Sequence, residues 1–133
     1  MIRGFIAGAF DILHPGYISA LRSAKEQCDH LIVGLHKDPS QQRSHKLKPI
    51  FSAEDRRQAL LSLKFVDDVI IYETEKDLCD ILKSIENNSV RFLGDDYIGK
   101  EITGGNLDIK IIYLPRNHGW SYTKVINLIK RNK

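Results

Sequence analysis

The chain has 133 residues, 20 Lys+Arg against 17 Asp+Glu for a net charge of +3, and 42% hydrophobic residues. That is the length of one domain with enough apolar matter for one core, so residues 1–133 are read as a single domain. So small a positive balance fits a protein that handles polyphosphates and equally an ordinary solvated surface. With no aromatic-rich basic motif beside it, it argues against a nucleic-acid-binding module. Cys28 and Cys79 lie far apart without metal-ligand spacing, as free thiols of a reducing cytoplasm do. No apolar run approaches the roughly 20 residues of a membrane span, and no basic-plus-apolar leader precedes the first strand pattern. A cytoplasmic protein without membrane contact is expected.

In chain order, Ile2 to Ala9 reads as a buried strand, and Ile18 to Gln27 as a helix with Ile18, Leu21 and Ala24 on one face. Leu31 to Leu35 makes a second strand, and the polar, basic stretch Lys37 to Lys48 a mobile loop. Ser52 can cap the next helix, with Asp55 three residues on in an acid-favouring first turn. Ala59, Leu60, Leu63 and Phe65 supply much of its apolar side. Val69 to Tyr72 is a third strand, Leu78 to Ile85 a third helix, Val90 to Leu93 a fourth strand and Ile109 to Leu114 a fifth; Ser121 to Ile129 closes the chain as a helix. Strands alternating with helices call for parallel pairing through right-handed crossovers. The fold expected is therefore α/β, a three-layer sandwich around a Rossmann-like parallel five-stranded sheet. Ligands in such sheets gather at the carboxyl ends of the strands, near the switch in strand order.

The segments just after the strands hold the least ordinary sequence. Gly8-Ala9-Phe10-Asp11-Ile12-Leu13-His14-Pro15-Gly16-Tyr17 joins the first strand to the first helix. Gly8 and Gly16 let a ligand approach the backbone, the helix offers its first amides to phosphate, and His14 can donate a hydrogen bond to a phosphate oxygen, more strongly when protonated. This segment resembles the motif of the cytidylyltransferase-like branch of the HxGH nucleotidyltransferases, with the nearest likeness to the glycerol-3-phosphate cytidylyltransferase family over nearly the whole chain. Tyr17 stands where the second histidine of HxGH usually does. A tyrosine can hydrogen-bond to phosphate but does not offer a positive charge near neutral pH.

The resemblance extends through three further segments. His45-Lys46-Leu47-Lys48, followed by Ser52-Ala53-Glu54-Asp55-Arg56, is similar to the family's lysine-bearing loop and its Glu-x-Arg helix. It implies that Lys46, or else Lys48, neutralises the triphosphate. It further implies that Arg56 meets the acceptor's phosphate, where the bare sequence allows a helix ion pair with Glu54 or Asp55. Gly94-Asp95-Asp96-Tyr97-Ile98-Gly99-Lys100 resembles the family's GDDWxGK segment lining the acceptor pocket. Asp95 and Asp96 would orient acceptor groups there, and Asp67 also matches a family position. Arg116-Asn117-His118-Gly119-Trp120-Ser121-Tyr122-Thr123 resembles the RTEGISTT signature. By that likeness Arg116, Gly119, Ser121 and Thr123 grip the triphosphate, together with Gly8, Ala9, Phe10, Asp11, His14, Gly16 and Tyr17 of the first motif.

The reaction so implied is transfer of a nucleoside monophosphate, CMP from CTP with ATP open as well, to a small phosphorylated acceptor such as glycerol 3-phosphate or another polyol or sugar phosphate. Pyrophosphate is released, and His14, Lys46 and Arg116 act as the catalytic cations and donors. Mg²⁺ or another divalent ion would bridge phosphate oxygens, with Asp11 as its protein contact, and the resemblance implies a homodimer. The alternative is a catalytically weak nucleotide-binding or regulatory protein that keeps the fold, supported by the change from HxGH to His14-Pro15-Gly16-Tyr17.

Overall fold

Neighbouring residues of a strand face opposite sides of a sheet, and the first strand shows it: Ile6 packs into one apolar cluster and Phe5 into another. The computed structural model describes residues 1–41 and 43–132. Five strands, β1 (Arg3–Gly8), β2 (His30–His36), β3 (Asp68–Tyr72), β4 (Ser89–Gly94) and β5 (Lys110–Leu114), form one sheet in the order β3-β2-β1-β4-β5. All four pairings are parallel. The intervening helices are α1 (Pro15–Glu26), α2 (Ala53–Leu61) and α3 (Glu75–Ser84), and α4 (Tyr122–Arg131) follows β5.

On one face, Leu21 and Ala24 of α1 and Leu60 of α2 pack with Ile6, Val33, Leu35 and Phe92. On the other, Leu78 and Leu82 of α3 pack with Phe5, Ile32 and Tyr72. Gly34 of β2 is needed there, because a Cβ on it would stand 2.4 Å from the Phe5 ring. Strand order turns outward on either side of β1, so the crevice at its carboxyl end, beside β4, is the place for a ligand.

The elements depart from their sequence expectations mainly at helix starts. The first helix begins at Pro15 and not Ile18, because a proline at the first helical position follows a capping residue, His14. The third begins at Glu75 and not Leu78, behind a capping box of Thr74 and Asp77. The loop after β2 contains a short 3-10 turn, Pro39–Gln41. Among the described residues no helix is long and apolar enough to cross a membrane.

Candidate active site

The chain leaves β1 through a strained turn. Phe10 has φ 45°, in the left-handed region that a bulky side chain avoids, yet it is 4% exposed and its ring meets that of Tyr17 edge-on at 5.0 Å. The turn brings His14 to the start of α1, where its imidazole caps the helix. Its Nδ1 accepts from the N–H groups of Gly16 (3.1 Å) and Tyr17 (3.4 Å). An accepting Nδ1 means that the neutral ring carries its proton on Nε2. That Nε2 is buried and has no partner among the described residues. Burial, then the charges of His118 and Arg116, hold the His14 pKa below its ordinary value. His14 is thus arranged as a neutral donor, the weaker of the two forms in which it can meet a phosphate oxygen. Tyr17 stacks on it at 3.9 Å and 25°, and burial, foremost, raises the phenol's pKa, so that it stays protonated at neutral pH.

Asp11 and Arg56 tie this turn to the rest of the fold. The Asp11 carboxylate accepts from the N–H groups of Ile50 (2.7 Å) and Phe51 (3.0 Å) and from the Tyr122 hydroxyl (2.6 Å). Both oxygens are engaged, and among the described residues no three His, Cys, Asp or Glu cluster as a metal site. Asp11 therefore does not fit the expected contact to a divalent ion; it joins the first turn to the approach of α2 and the start of α4. Arg56, expected at the acceptor's phosphate, is 2% exposed and donates to four carbonyl contacts, those of Ala9, His36, Lys37 and Phe51. A guanidinium has five N–H donors, so this one is committed to holding the ends of β1 and β2 to α2. Nor does it pair with Glu54, which binds Arg57 instead.

Asp67 is a second correction on the acceptor side. Its carboxylate pairs with Lys25 and accepts the Leu31 N–H. Leu31 is the second residue of β2, so Asp67 sits at the amino ends of the strands, away from the crevice.

From the other end of the chain, the segment between β5 and α4 reaches the same crevice. Gly119, with φ 77°, turns the chain there. Ser121 caps α4 by accepting the Lys124 N–H at 3.1 Å, which leaves its hydroxyl hydrogen free to point at a ligand. Arg116 is held at the mouth: its N–H reaches Asp95 (3.3 Å) and its Nη1 reaches Asp96 (3.1 Å). That ion pair is half-exposed, hence weak, and an incoming polyphosphate competes with Asp96 for the guanidinium.

These parts line one cleft of ≈ 680 Å³, a volume suited to a small ligand pair. Gly8, Ala9, Phe10, Asp11, His14, Gly16, Tyr17, Lys46, Asp96, Arg116, Ser121 and Thr123 are on its wall, whereas Lys48, Asp95 and Gly119 are not. The cleft has a second arm on the α3 side, lined by His36, Tyr72, Glu75, Arg91, Tyr97 and Thr103. None of these was expected from the sequence. Glu75 Oε2 accepts from the Thr103 hydroxyl at 2.8 Å. Arg91 is 5% exposed, donates through Nη1 to the Thr103 carbonyl, and leaves its buried Nε without a partner among the described residues. A charge inside the apolar run Val90 to Leu93 was the one signal that could have found it.

Comparison with known proteins agrees with the fold. The model of the family described as cytidylyltransferase-like matches residues 5–126. The bifunctional protein HldE of Hyphomonas neptunium is 38% identical over 128 residues, spanning 92% of this chain and 26% of that protein. That of Helicobacter pylori (strain Shi470) is 36% identical, spanning 96% and 27%. The chain thus covers about a quarter of the length of these curated relatives. Among solved structures, a lipopolysaccharide core biosynthesis protein from Thermoplasma volcanium matches with a TM-score of 0.69 and 28% identity, over 86% of this chain and 96% of that one. A pantoate-beta-alanine ligase from Francisella tularensis shares the fold, with a TM-score of 0.56 and 18% identity over 96% and 69%.

Proposed function

This chain belongs to the cytidylyltransferase-like family, and from that premise we propose that it transfers a nucleoside monophosphate from an NTP to a small phosphorylated acceptor. An oxygen of the acceptor's phosphate attacks the α-phosphorus in line; the bond from that phosphorus to the bridging oxygen of the β-phosphate breaks, and pyrophosphate leaves. No covalent enzyme intermediate is required, since positioning and charge stabilisation carry such a reaction.

The observation that carries this reading is the buried Nε2–H of His14, without a partner among the described residues, on the wall of a cleft that the segments before α1 and before α4 build together. The amides at the start of α4, the Ser121 hydroxyl and the cations of Lys46 and Arg116 suit a polyphosphate beside it, whereas the amides at the start of α1 are taken up by His14. The reacting phosphate of the acceptor would meet the α-phosphate at this wall. Its body would enter the second arm, where Arg91, Tyr72, Tyr97, Glu75 and Thr103 offer donors and acceptors for a polyhydroxylated molecule.

The identities of the two substrates rest on narrower support. The family's description favours CTP. Kinship with the HldE proteins favours adenylyl transfer to a sugar phosphate over cytidylyl transfer to glycerol 3-phosphate. ATP with a sugar phosphate is therefore the first pair to test and CTP with glycerol 3-phosphate the second.

The test is pyrophosphate release from ATP, CTP, GTP and UTP, each supplied with Mg²⁺ as counter-ion, against sugar and polyol phosphates. One active pair is expected, with the rate falling about 100-fold or more in His14→Ala. NTP binding without turnover across the panel would instead favour a nucleotide-binding protein that keeps the fold, the reading that Tyr17 supports.

A further inference from the structure

The first motif contains one imidazole, and the fold brings a second to it from the far end of the chain. His118, in the turn between β5 and α4, lies half-buried on the cleft wall. Its Cε1 is 2.7 Å from where a Cβ on Gly16 would stand, so only glycine at 16 admits the ring. His118 thus lies over the first turn of α1, beside the same helix start that His14 caps. The two rings act on each other electrostatically: after burial, His118 is the largest influence lowering the His14 pKa.

The two imidazoles are also held alike. His14 Nδ1 accepts backbone N–H groups of its own helix start, and His118 Nδ1 accepts the Trp120 N–H at 2.9 Å. A backbone N–H on Nδ1 leaves each neutral ring with its proton on Nε2. Neither Nε2 has a hydrogen-bond partner among the described residues. The turn that carries His118 is braced by Lys124, whose Nζ lies 5.0 Å from the Trp120 ring centre, and by Trp120 itself, which stacks near His14 at 6.4 Å. Two imidazoles held through Nδ1 therefore line one cleft and meet at Gly16, while Tyr17, which follows Gly16, is turned onto His14 as a stacking partner.

We propose that His118 is a second catalytic imidazole, whose Nε2–H donates with that of His14 to the polyphosphate of the bound NTP, so that residue 118 supplies the donor that Tyr17 does not. This rests on the nucleotidyl-transfer reading for its consequence in turnover, but its prediction for NTP binding stands apart from that reading.

The experiment compares wild type, His118→Ala, His118→Gln and the double variant Tyr17→His/His118→Ala. Each is checked by thermal melting, then measured for NTP affinity by calorimetry and for pyrophosphate release. His118→Ala is expected to lower kcat/KM about 100-fold and to weaken NTP binding about tenfold. His118→Gln, whose amide can donate, should retain more of both, and Tyr17→His should recover about tenfold of the loss in the double variant. If His118→Ala does not fold, the Gln variant carries the comparison. His118→Ala within about threefold of wild type in both measurements would overturn the proposal. So would a loss that neither Gln at 118 nor His at 17 reduces, since that loss would come from the packing of the turn. A wild type that binds NTP but releases no pyrophosphate with any acceptor counts against the nucleotidyl-transfer reading alone, and the affinity of His118→Ala still decides the role of His118.

Discussion

Arg56 and Arg91 are 2% and 5% exposed, and their guanidiniums serve different ends. Arg56 is surrounded by carbonyls of the β1 and β2 ends, so its removal leaves buried acceptors without donors. Arg56→Lys, with a compact ammonium in place of a planar fork, should destabilise the protein by about 2–4 kcal/mol. Among the molecules still folded, the KM for the acceptor should stay within about threefold of wild type. Arg91→Lys should do the reverse, raising the acceptor's KM about tenfold or more with little change in kcat or NTP affinity. Urea melts with steady-state kinetics decide the matter; a raised acceptor KM in Arg56→Lys without loss of stability would return the acceptor role to Arg56. The Glu-x-Arg pattern pointed to Arg56 as important, but its partners are carbonyls of Ala9, His36, Lys37 and Phe51, whose meeting is a property of the folded sheet and not of local sequence. Arg91 went unread for the converse reason, since its strand follows the burial pattern and only its charge departs from it.

Each helix opens on a capping side chain, and these caps divide into structural and functional ones. Ser52 and Ser121 were legible, because serine ahead of a polar first turn is a strong start signal. Thr74 was missed because the apolar spacing of α3 is visible only from Leu78, a turn beyond the real start at Glu75. His14 was legible as a ligand donor but not as a cap, histidine being outside the usual capping set. The Thr74 hydroxyl accepts the Asp77 N–H and Thr74 is not on the cleft wall, so Thr74→Ala should cost about 1 kcal/mol of stability and leave turnover unchanged. Ser121→Ala should cost about the same in stability and in addition lower nucleotidyl transfer about tenfold, because Ser121 is on the cleft wall and its hydroxyl, which accepts the Lys124 N–H, can still donate to a ligand. Chemical denaturation and pyrophosphate release, run on both variants, test the pair. Equal effects of the two on turnover would place Ser121 with the purely structural caps.

At the scale of the molecule, the alternation of strands and helices made the parallel sheet legible, and the rule for its carboxyl ends located the cleft. The second arm was not legible, because its wall is drawn from β3, α3, β4 and the residues after Asp95–Tyr97, which only the folded chain brings together. The arms also share an electrostatic character that governs the whole protein. His14 in the first and His36 in the second are both buried, and burial is the main cause holding each pKa below its ordinary 6.5. Around His14 the further influences, His118 and Arg116, act in the same direction. Around His36 the Glu73 carbonyl, Glu75 and Asp38 oppose burial, Arg43 adds to it, and the net direction is still downward. As pH falls through 6.5, the unfolded chain takes up protons that the folded one refuses, so acidification favours unfolding. The contribution of both histidines is therefore complete above about pH 6.5 and is lost as pH falls from there through the depressed native values. Asp38 and Asp77, lowered from an ordinary 3.8 chiefly by hydrogen bonds, begin to lose their contribution only at pH values near and below that figure. The interval from pH 7.5 to about 5.5 thus isolates the histidines. The urea midpoint should fall across that interval, and His14→Asn combined with His36→Asn should flatten the fall, at the expense of turnover. A midpoint that holds or rises toward pH 5.5 in the wild type would mean that both imidazoles are charged in the folded state, and His14 would then act on phosphate as a cation and not as the neutral Nε2–H donor its helix cap requires.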